Sequence, residues 1–303
     1  FDSMVCHTPT TSARWPMPWT WSTFDYRHLL ELLWDQRGPG TEFEIAKVEA
    51  RTKNTVHTDR GDLTAPLIVD ALGWRRILAP GDNVQPPDAA LSRGLEVHPK
   101  GTSPDLELWI AQDIISPGYG WSFPAGDEVR VGVGSFDPRV PVKQPTVDLV
   151  GQVGRELDGY QGNWIPHELR PATEDGIFFV GDSAGHCFPL TAEGIRPALY
   201  FGIAAGREIA AVIAGRTDKY TALRRYHEFS EEHLWVYRWM YRCQQSVRHL
   251  HGRPADAVVR RFAHPRTANW GFGHYLKVAP PEFALPAPPA APLGRERPLA
   301  YAA

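Results

Sequence analysis

Gly176-Ile177-Phe178-Phe179-Val180-Gly181-Asp182-Ser183-Ala184-Gly185-His186-Cys187-Phe188-Pro189-Leu190-Thr191-Ala192-Glu193-Gly194-Ile195-Arg196 is the stretch that decides the fold. Its apolar run Ile177-Phe178-Phe179-Val180 has the length of a strand buried on both faces. Gly181-Asp182 then stands at the strand's carboxyl end, where open α/β sheets hold their ligands. A helix follows, its apolar pattern running from about Gly194 to Ala214.

An aspartate at a strand end can accept hydrogen bonds from the ribityl hydroxyls of a flavin. The helix start near Gly194-Ile195 offers unpaired N–H groups to an anionic reduced isoalloxazine. The plain alternative is that Gly181-Asp182 is a turn followed by an N-cap.

Upstream, Tyr119-Gly120-Trp121-Ser122-Phe123-Pro124-Ala125-Gly126-Asp127 precedes Val129-Arg130-Val131-Gly132-Val133-Gly134. Strand alternation puts Tyr119, Trp121 and Phe123 on one face, as a wall for an apolar substrate or as a cross-strand ladder filling a core. Strand-like runs between residues 91 and 136, including 106–115 and 129–136, predict an antiparallel sheet.

Farther upstream, Leu29, Leu30, Leu33 and Trp34 recur at helical spacing, and Gly38-Pro39-Gly40 ends the pattern. Residues 43–66 predict a small β meander. Leu67-Ile68-Val69-Asp70-Ala71-Leu72-Gly73 reads as a second buried parallel strand, followed by a loop with Pro80, Gly81, Pro86 and Pro87. Residues 1–22, with Pro9, Pro16 and Pro18 among Trp15, Trp19 and Trp21, are expected to be an extended connector rather than a central strand. Downstream, residues 219–250 are rich in helix formers and aromatics, and the Pro/Ala-rich tail from Ala279 is expected to be disordered.

Residues 181–195 resemble the second flavin-contacting motif of the geranylgeranyl reductase family, close to GDAAGxxxPLxGEGI, within the wider hydroxybenzoate-hydroxylase-like flavoproteins. The resemblance implies that Gly181 and Asp182 meet the ribityl chain and that Pro189, Gly194 and Ile195 line the isoalloxazine. Ala192 replaces a usual glycine. The Tyr119 to Pro124 segment is similar to the family's YxWxFP motif, which borders its lipid tunnel. Phe24 to Leu33 resembles the superfamily's RxxLxxxL helix, in which Arg27 faces the flavin; an exposed Arg27 beside Glu31 is the alternative. Val69 to Gly73 takes the place of the ADG or DG segment. Gly73 fits there and Leu72 does not, leaving Asp70 as a substitute for the missing carboxylate.

The expected fold class is α/β mixed with α+β: a partial Rossmann-like FAD-binding domain (1–80 and 171–215), an antiparallel-sheet substrate domain (81–170) and a C-terminal helical region (216–278), then the tail 279–303. No strand leads into GxGxxG, the element that seats a pyrophosphate on a helix N-terminus. It is expected to precede Phe1 in a longer chain.

The 303 residues carry a net charge of -3, with 43% apolar and 22% charged residues, which argues against nucleic acid as a general partner. Cys6, Cys187 and Cys243 lack CxxC spacing and read as reduced thiols of a cytoplasmic protein. No apolar run reaches the roughly 18 residues of a membrane span, although peripheral membrane contact stays open. His249 and His251 lack further spaced ligands, so no metal site is expected. Cys187 reads as packing or as a redox or substrate-facing thiol, and His186 as a core-facing or solvent-facing side chain or a proton donor.

The resemblance implies FAD as cofactor, NAD(P)H or another reductant as electron donor, and reduction of a carbon–carbon double bond in an isoprenoid-like apolar substrate. A flavin-dependent monooxygenase or halogenase is the competing enzyme. A degenerate chain that binds a lipid-like ligand without catalysis is the alternative of another class.

Overall fold

The computed structural model describes residues 1–81 and 88–285; Pro86, Pro87 and the tail 286–303 lie outside them. The chain opens with β1 (Ser3–His7) and β2 (Ser12–Pro16). This corrects the expectation of a connector. Pro9 falls in the turn between the strands and Pro16 ends the edge strand, positions where a missing N–H costs no ladder bond. Met4 and Cys6 alternate inward from β1.

Helix α1 (Tyr26–Asp35) is started by Asp25, whose carboxylate accepts from the Arg27 and His28 amides at 2.7 and 3.2 Å. It buries none of its residues. The meander predicted for residues 43–66 forms as β3 (Val48–Thr52), β4 (Thr55–Thr58) and β5 (Gly61–Thr64), a three-stranded antiparallel sheet. The run at 67–73 yields only the short β6 (Val69–Asp70), at a sheet edge where Val69 is 43% exposed.

Then come β7 (Leu91–Val97), β8 (Leu106–Trp109), β9 (Gly118–Ala125), β10 (Glu128–Ser135), helix α2 (Lys143–Gln152) and β11 (Gln161–Pro166). The strand expected over 106–115 stops at Trp109, because the chain turns where the Ile114 and Ile115 amides both bond the Ala111 carbonyl. Seven strands make one sheet in the order β11-β7-β10-β9-β8-β1-β2, antiparallel except where β1 runs parallel to β8. The sheet therefore extends beyond residues 81–170 to the first strands of the chain. Val129, Val131 and Val133 pack under Leu149 and Val150 of α2 on one face.

The second sheet has the order β12 (Thr173–Glu174), β13 (Ile177–Phe179), β6, with β13 parallel to β6. All three β13 side chains are buried. Phe178 faces α3 (Ile195–Ile213) and α4 (Lys219–Glu231), whereas Ile177 and Phe179 face the meander through Val48 and Val56. The α/β character expected from the sequence is thus present, a short parallel pair beside a large, mostly antiparallel sheet.

Three further helices close the chain: α5 (Leu234–Val247), α6 (Gly252–Phe262) and α7 (Pro265–Leu276). Val259 and Phe262 of α6 pack on Met4, Trp15 and Leu106, and the Trp15 indole donates to the Val259 carbonyl at 2.9 Å. Residues 279–285, expected to be disordered, are ordered: Ala279 is buried, and Phe283 packs on Tyr200 and Phe229. Among the described residues, no helix is long and apolar enough to cross a membrane.

Candidate active site

The carboxyl ends of β6 and β13 are laced together by two buried charges. The Asp70 carboxylate accepts from the Leu72 and Leu78 amides at 2.9 and 3.0 Å and from the Ser183 hydroxyl at 2.6 Å. Asp70 is fully buried. It therefore holds the turn and presents no oxygen to a ligand, so it does not substitute for the carboxylate that Leu72 lacks. Arg76 lies over the Phe179 ring at 3.5 Å, donates to the Ser183 carbonyl at 2.6 Å and pairs with Glu174 at 2.8 Å. Gly73 turns the chain at φ 84°, a left-handed conformation that a side chain would strain.

Gly181, at φ 64°, opens a short 3-10 turn that carries Asp182 back toward α3. A Cβ placed on Gly194 would lie 3.9 Å from Asp182 Oδ1 and 3.8 Å from Cys187 Sγ. The strand-end carboxylate and the helix N-terminus are therefore neighbours. No described residue donates a hydrogen bond to the Asp182 carboxylate, and burial raises its pKa to about 6, with Arg170 opposing the shift. Gly194 caps α3 without a side-chain hydrogen bond. The pair can take donors at the carboxylate and an anionic acceptor at the helix start.

Between them, residues 188–193 fold into a tight turn. The Phe188 amide bonds the Glu193 carbonyl at 3.0 Å, and Ala192 stands at φ 53°. A left-handed alanine costs about 1 kcal/mol or more, the strain a glycine there would avoid. Pro189 is buried, and its carbonyl accepts from Gln244 of α5 at 2.7 Å. Gly181, Asp182 and Gly194 stay partly exposed and Ile195 is exposed, so these four predicted residues share the accessible side of the turn while Pro189 lies behind it.

The turn is clamped by residues that sequence reading missed. Glu193 binds Arg196 at 2.7 and 2.9 Å and accepts from the Tyr275 hydroxyl. Tyr275 also lies 2.7 Å from Thr191 Oγ1, and Arg196 donates to the Leu276 and Ala279 carbonyls at 3.2 and 3.0 Å. Glu193 and Arg196 belong to the motif itself, but Tyr275 comes from a helix with no sequence signal linking it there.

The aromatic segment forms β9, and Tyr119, Trp121 and Phe123 do share a face, half-buried, while Gly118, Gly120 and Ser122 turn toward α2. The Trp121 indole lies across a floor of glycines: an added Cβ at Gly132 would come within 2.3 Å of its ring and one at Gly134 within 3.4 Å. Its Nε1 donates to Glu96 at 3.1 Å. Tyr119 donates to the Thr191 carbonyl, joining this face to the turn. Phe123 packs near Phe262 and Phe272 of the C-terminal helices.

Of three other candidates, Arg27 sits apart, while His186 and Cys187 lie buried within the motif. Arg27 is exposed on α1, and no hydrogen bond or ion pair among the described residues joins its guanidinium to the motif or to Glu31. His186 is fully buried, stacked 3.8 Å from Phe201, with its pKa pushed well down by burial, so it is a neutral core side chain rather than a group facing substrate. Cys187 is buried with its pKa pushed well up by burial, Asp182 and Glu193, which keeps the thiol protonated.

No protein-family profile matches the chain. Two curated relatives are a chloroplastic geranylgeranyl diphosphate reductase of Nicotiana tabacum, 28% identical over 57% of this chain and 40% of the relative, and a digeranylgeranylglycerophospholipid reductase of Methanococcus vannielii, 30% identical over 42% and 35%. Over this part of its length the chain is similar in sequence to these geranylgeranyl reductases. It spans well under two thirds of the length of these relatives. A geranylgeranyl bacteriochlorophyll reductase-like protein of Thermoplasma acidophilum shares the fold with a TM-score of 0.68 at 16% identity, over 93% of this chain and 80% of that one. A probable FAD-dependent monooxygenase of Pseudomonas aeruginosa has a TM-score of 0.57 at 16% identity, over 86% and 81%.

Proposed function

We propose that this chain is an FAD-dependent oxidoreductase that reduces carbon–carbon double bonds in an isoprenoid-like or other apolar substrate. The observation that carries the reading is the pairing of Asp182 with Gly194. A half-buried carboxylate that receives no hydrogen bond among the described residues stands against a helix start without a side-chain cap. That combination fits the hydroxyl-rich middle and electron-accepting ring of a flavin. The curated relatives' names, which specify reduction of geranylgeranyl compounds, support this choice of substrate class.

In this reading Asp182 accepts from the ribityl hydroxyls, and the Gly194-Ile195 backbone offers N–H groups to the ring. Gly181 and Gly73 keep the backbone close, and Pro189 stiffens the turn from behind. FAD, once reduced by NAD(P)H or another donor, would supply the hydride equivalent, with the accompanying proton drawn from solvent. Tyr119, Trp121 and Phe123 provide an apolar surface that positions the alkene and excludes water. An apolar substrate of this kind partitions into lipid, which makes peripheral contact with a membrane part of the proposal.

The test uses the purified protein, incubated with FAD and passed over a sizing column. Flavin absorbance should travel with the wild type and be largely lost from Asp182→Ala. Anaerobic reduction of a geranylgeranyl substrate should follow the bound flavin. A colourless wild type, or equal flavin in both proteins, overturns the assignment, and hydroxylation coupled to oxygen uptake would make it a monooxygenase.

A further inference from the structure

Helix α5 divides cleanly into two faces. Val236, Tyr237, Met240 and Gln244 are buried against the molecule, while Trp235, Arg238, Trp239 and Arg242 point outward at i, i+3, i+4 and i+7. Trp235 is 72% exposed and Trp239 is 52% exposed. Helix α7 repeats the pattern with exposed Arg266, Trp270 and His274, continued by Lys277.

Charge is distributed to match. Between His233 and Ala279 stand eight arginines and lysines and one acidic residue, Asp256, in a chain whose net charge is -3. Asp256 is itself occupied, accepting from the Thr8 and Thr10 hydroxyls at 2.5 and 2.8 Å. Within this stretch the basic residues thus outnumber the acidic ones eight to one, with Glu231 and Glu232 one turn before Trp235 and Glu168 beside Tyr241 as nearby carboxylates. Indoles are enriched at the lipid headgroup level, and arginines can lay their stems along apolar surface while keeping the guanidinium at the phosphates.

We propose that the outward faces of α5 and α7 dock on the surface of a bilayer containing anionic lipids. The tryptophans enter the interface, and Arg238, Arg242, Arg266 and Lys277 meet the headgroups. The inference deepens the apolar-substrate reading, because it brings the chain to the phase where such a substrate dissolves. Its evidence, the composition and exposure of these faces, is independent of the flavin site.

The experiment is co-sedimentation with vesicles of phosphatidylcholine alone or mixed with phosphatidylglycerol, at low and high salt. The wild type should bind the anionic vesicles, bind pure phosphatidylcholine far less, and dissociate as salt rises. Arg238→Gln with Arg242→Gln should weaken binding about thirtyfold, the effect of two cations beside an anionic surface. Trp235→Ala with Trp239→Ala should weaken it at both salt concentrations, and Trp270→Ala tests α7 separately. All are exposed positions, and unchanged melting temperatures verify folding. Equal binding by wild type and variants, no preference for anionic lipid, or displacement from vesicles by equimolar duplex DNA overturns the proposal. Lipid binding that survives in a protein unable to retain FAD would leave this inference standing and sink the flavin reading.

Discussion

At the level of single residues, Asp182 is the most consequential side chain. A carboxyl ordinarily titrating at 3.8 is raised to about 6, chiefly by burial. The folded state thus binds its proton more tightly than the unfolded chain does. Stability from this group is fully present below about pH 4 and is lost as pH rises through 6. In flavin-free protein, Asp182→Asn should therefore raise the melting temperature near pH 7, leave it unchanged near pH 3.5, and flatten the profile between. A wild type and variant that melt in parallel across this range would show that the carboxyl titrates normally. Asp70 makes the opposite case, since amides and a serine hydroxyl already satisfy it. Of two aspartates at neighbouring strand ends, Asp70 is thus supplied with donors and, among the described residues, Asp182 is not.

At the level of elements, β9 and β10 act together. Trp121 can lie flat only because β10 carries glycine where most strands carry branched side chains. Gly132→Val should cost about 1–3 kcal/mol in chemical denaturation, the range for overpacking a filled site. Adding Trp121→Ala should recover part of the loss, a coupling that a double-mutant cycle measures. Additive costs would mean that the indole does not rest on that floor. The alternation of Tyr119, Trp121 and Phe123 was legible in the sequence because a strand has a period of two. Their floor was not, since it depends on the register of Trp121 against Gly132.

Across the whole molecule, the C-terminal helices bind both ends of the chain to the site. Val259 receives Trp15 from the second strand, Gln244 holds the Pro189 carbonyl, and Tyr275 reaches Glu193 and Thr191. Tyr275→Phe keeps the ring against Phe188 and removes only the hydroxyl. It should cost about 1.5–3 kcal/mol, as expected for a hydrogen bond to a charged group, and should loosen flavin retention. Unchanged stability and unchanged retention would make Tyr275 a packing residue alone.

The amino-acid order by itself determined the α/β character, the helix at 195–213, the meander and the strand-to-helix motif around Asp182, because each rests on local periodicity and turn chemistry. It misread residues 1–22, where prolines confined to a turn and an edge left room for a strand inside the sheet. Only the tertiary structure decided that Asp70 turns inward, that His186 is core, that Pro189 is buried, and that Tyr275 clamps the turn. Those outcomes depend on which distant groups supply donors, rings and carbonyls, and such partners meet only when the chain has closed on itself.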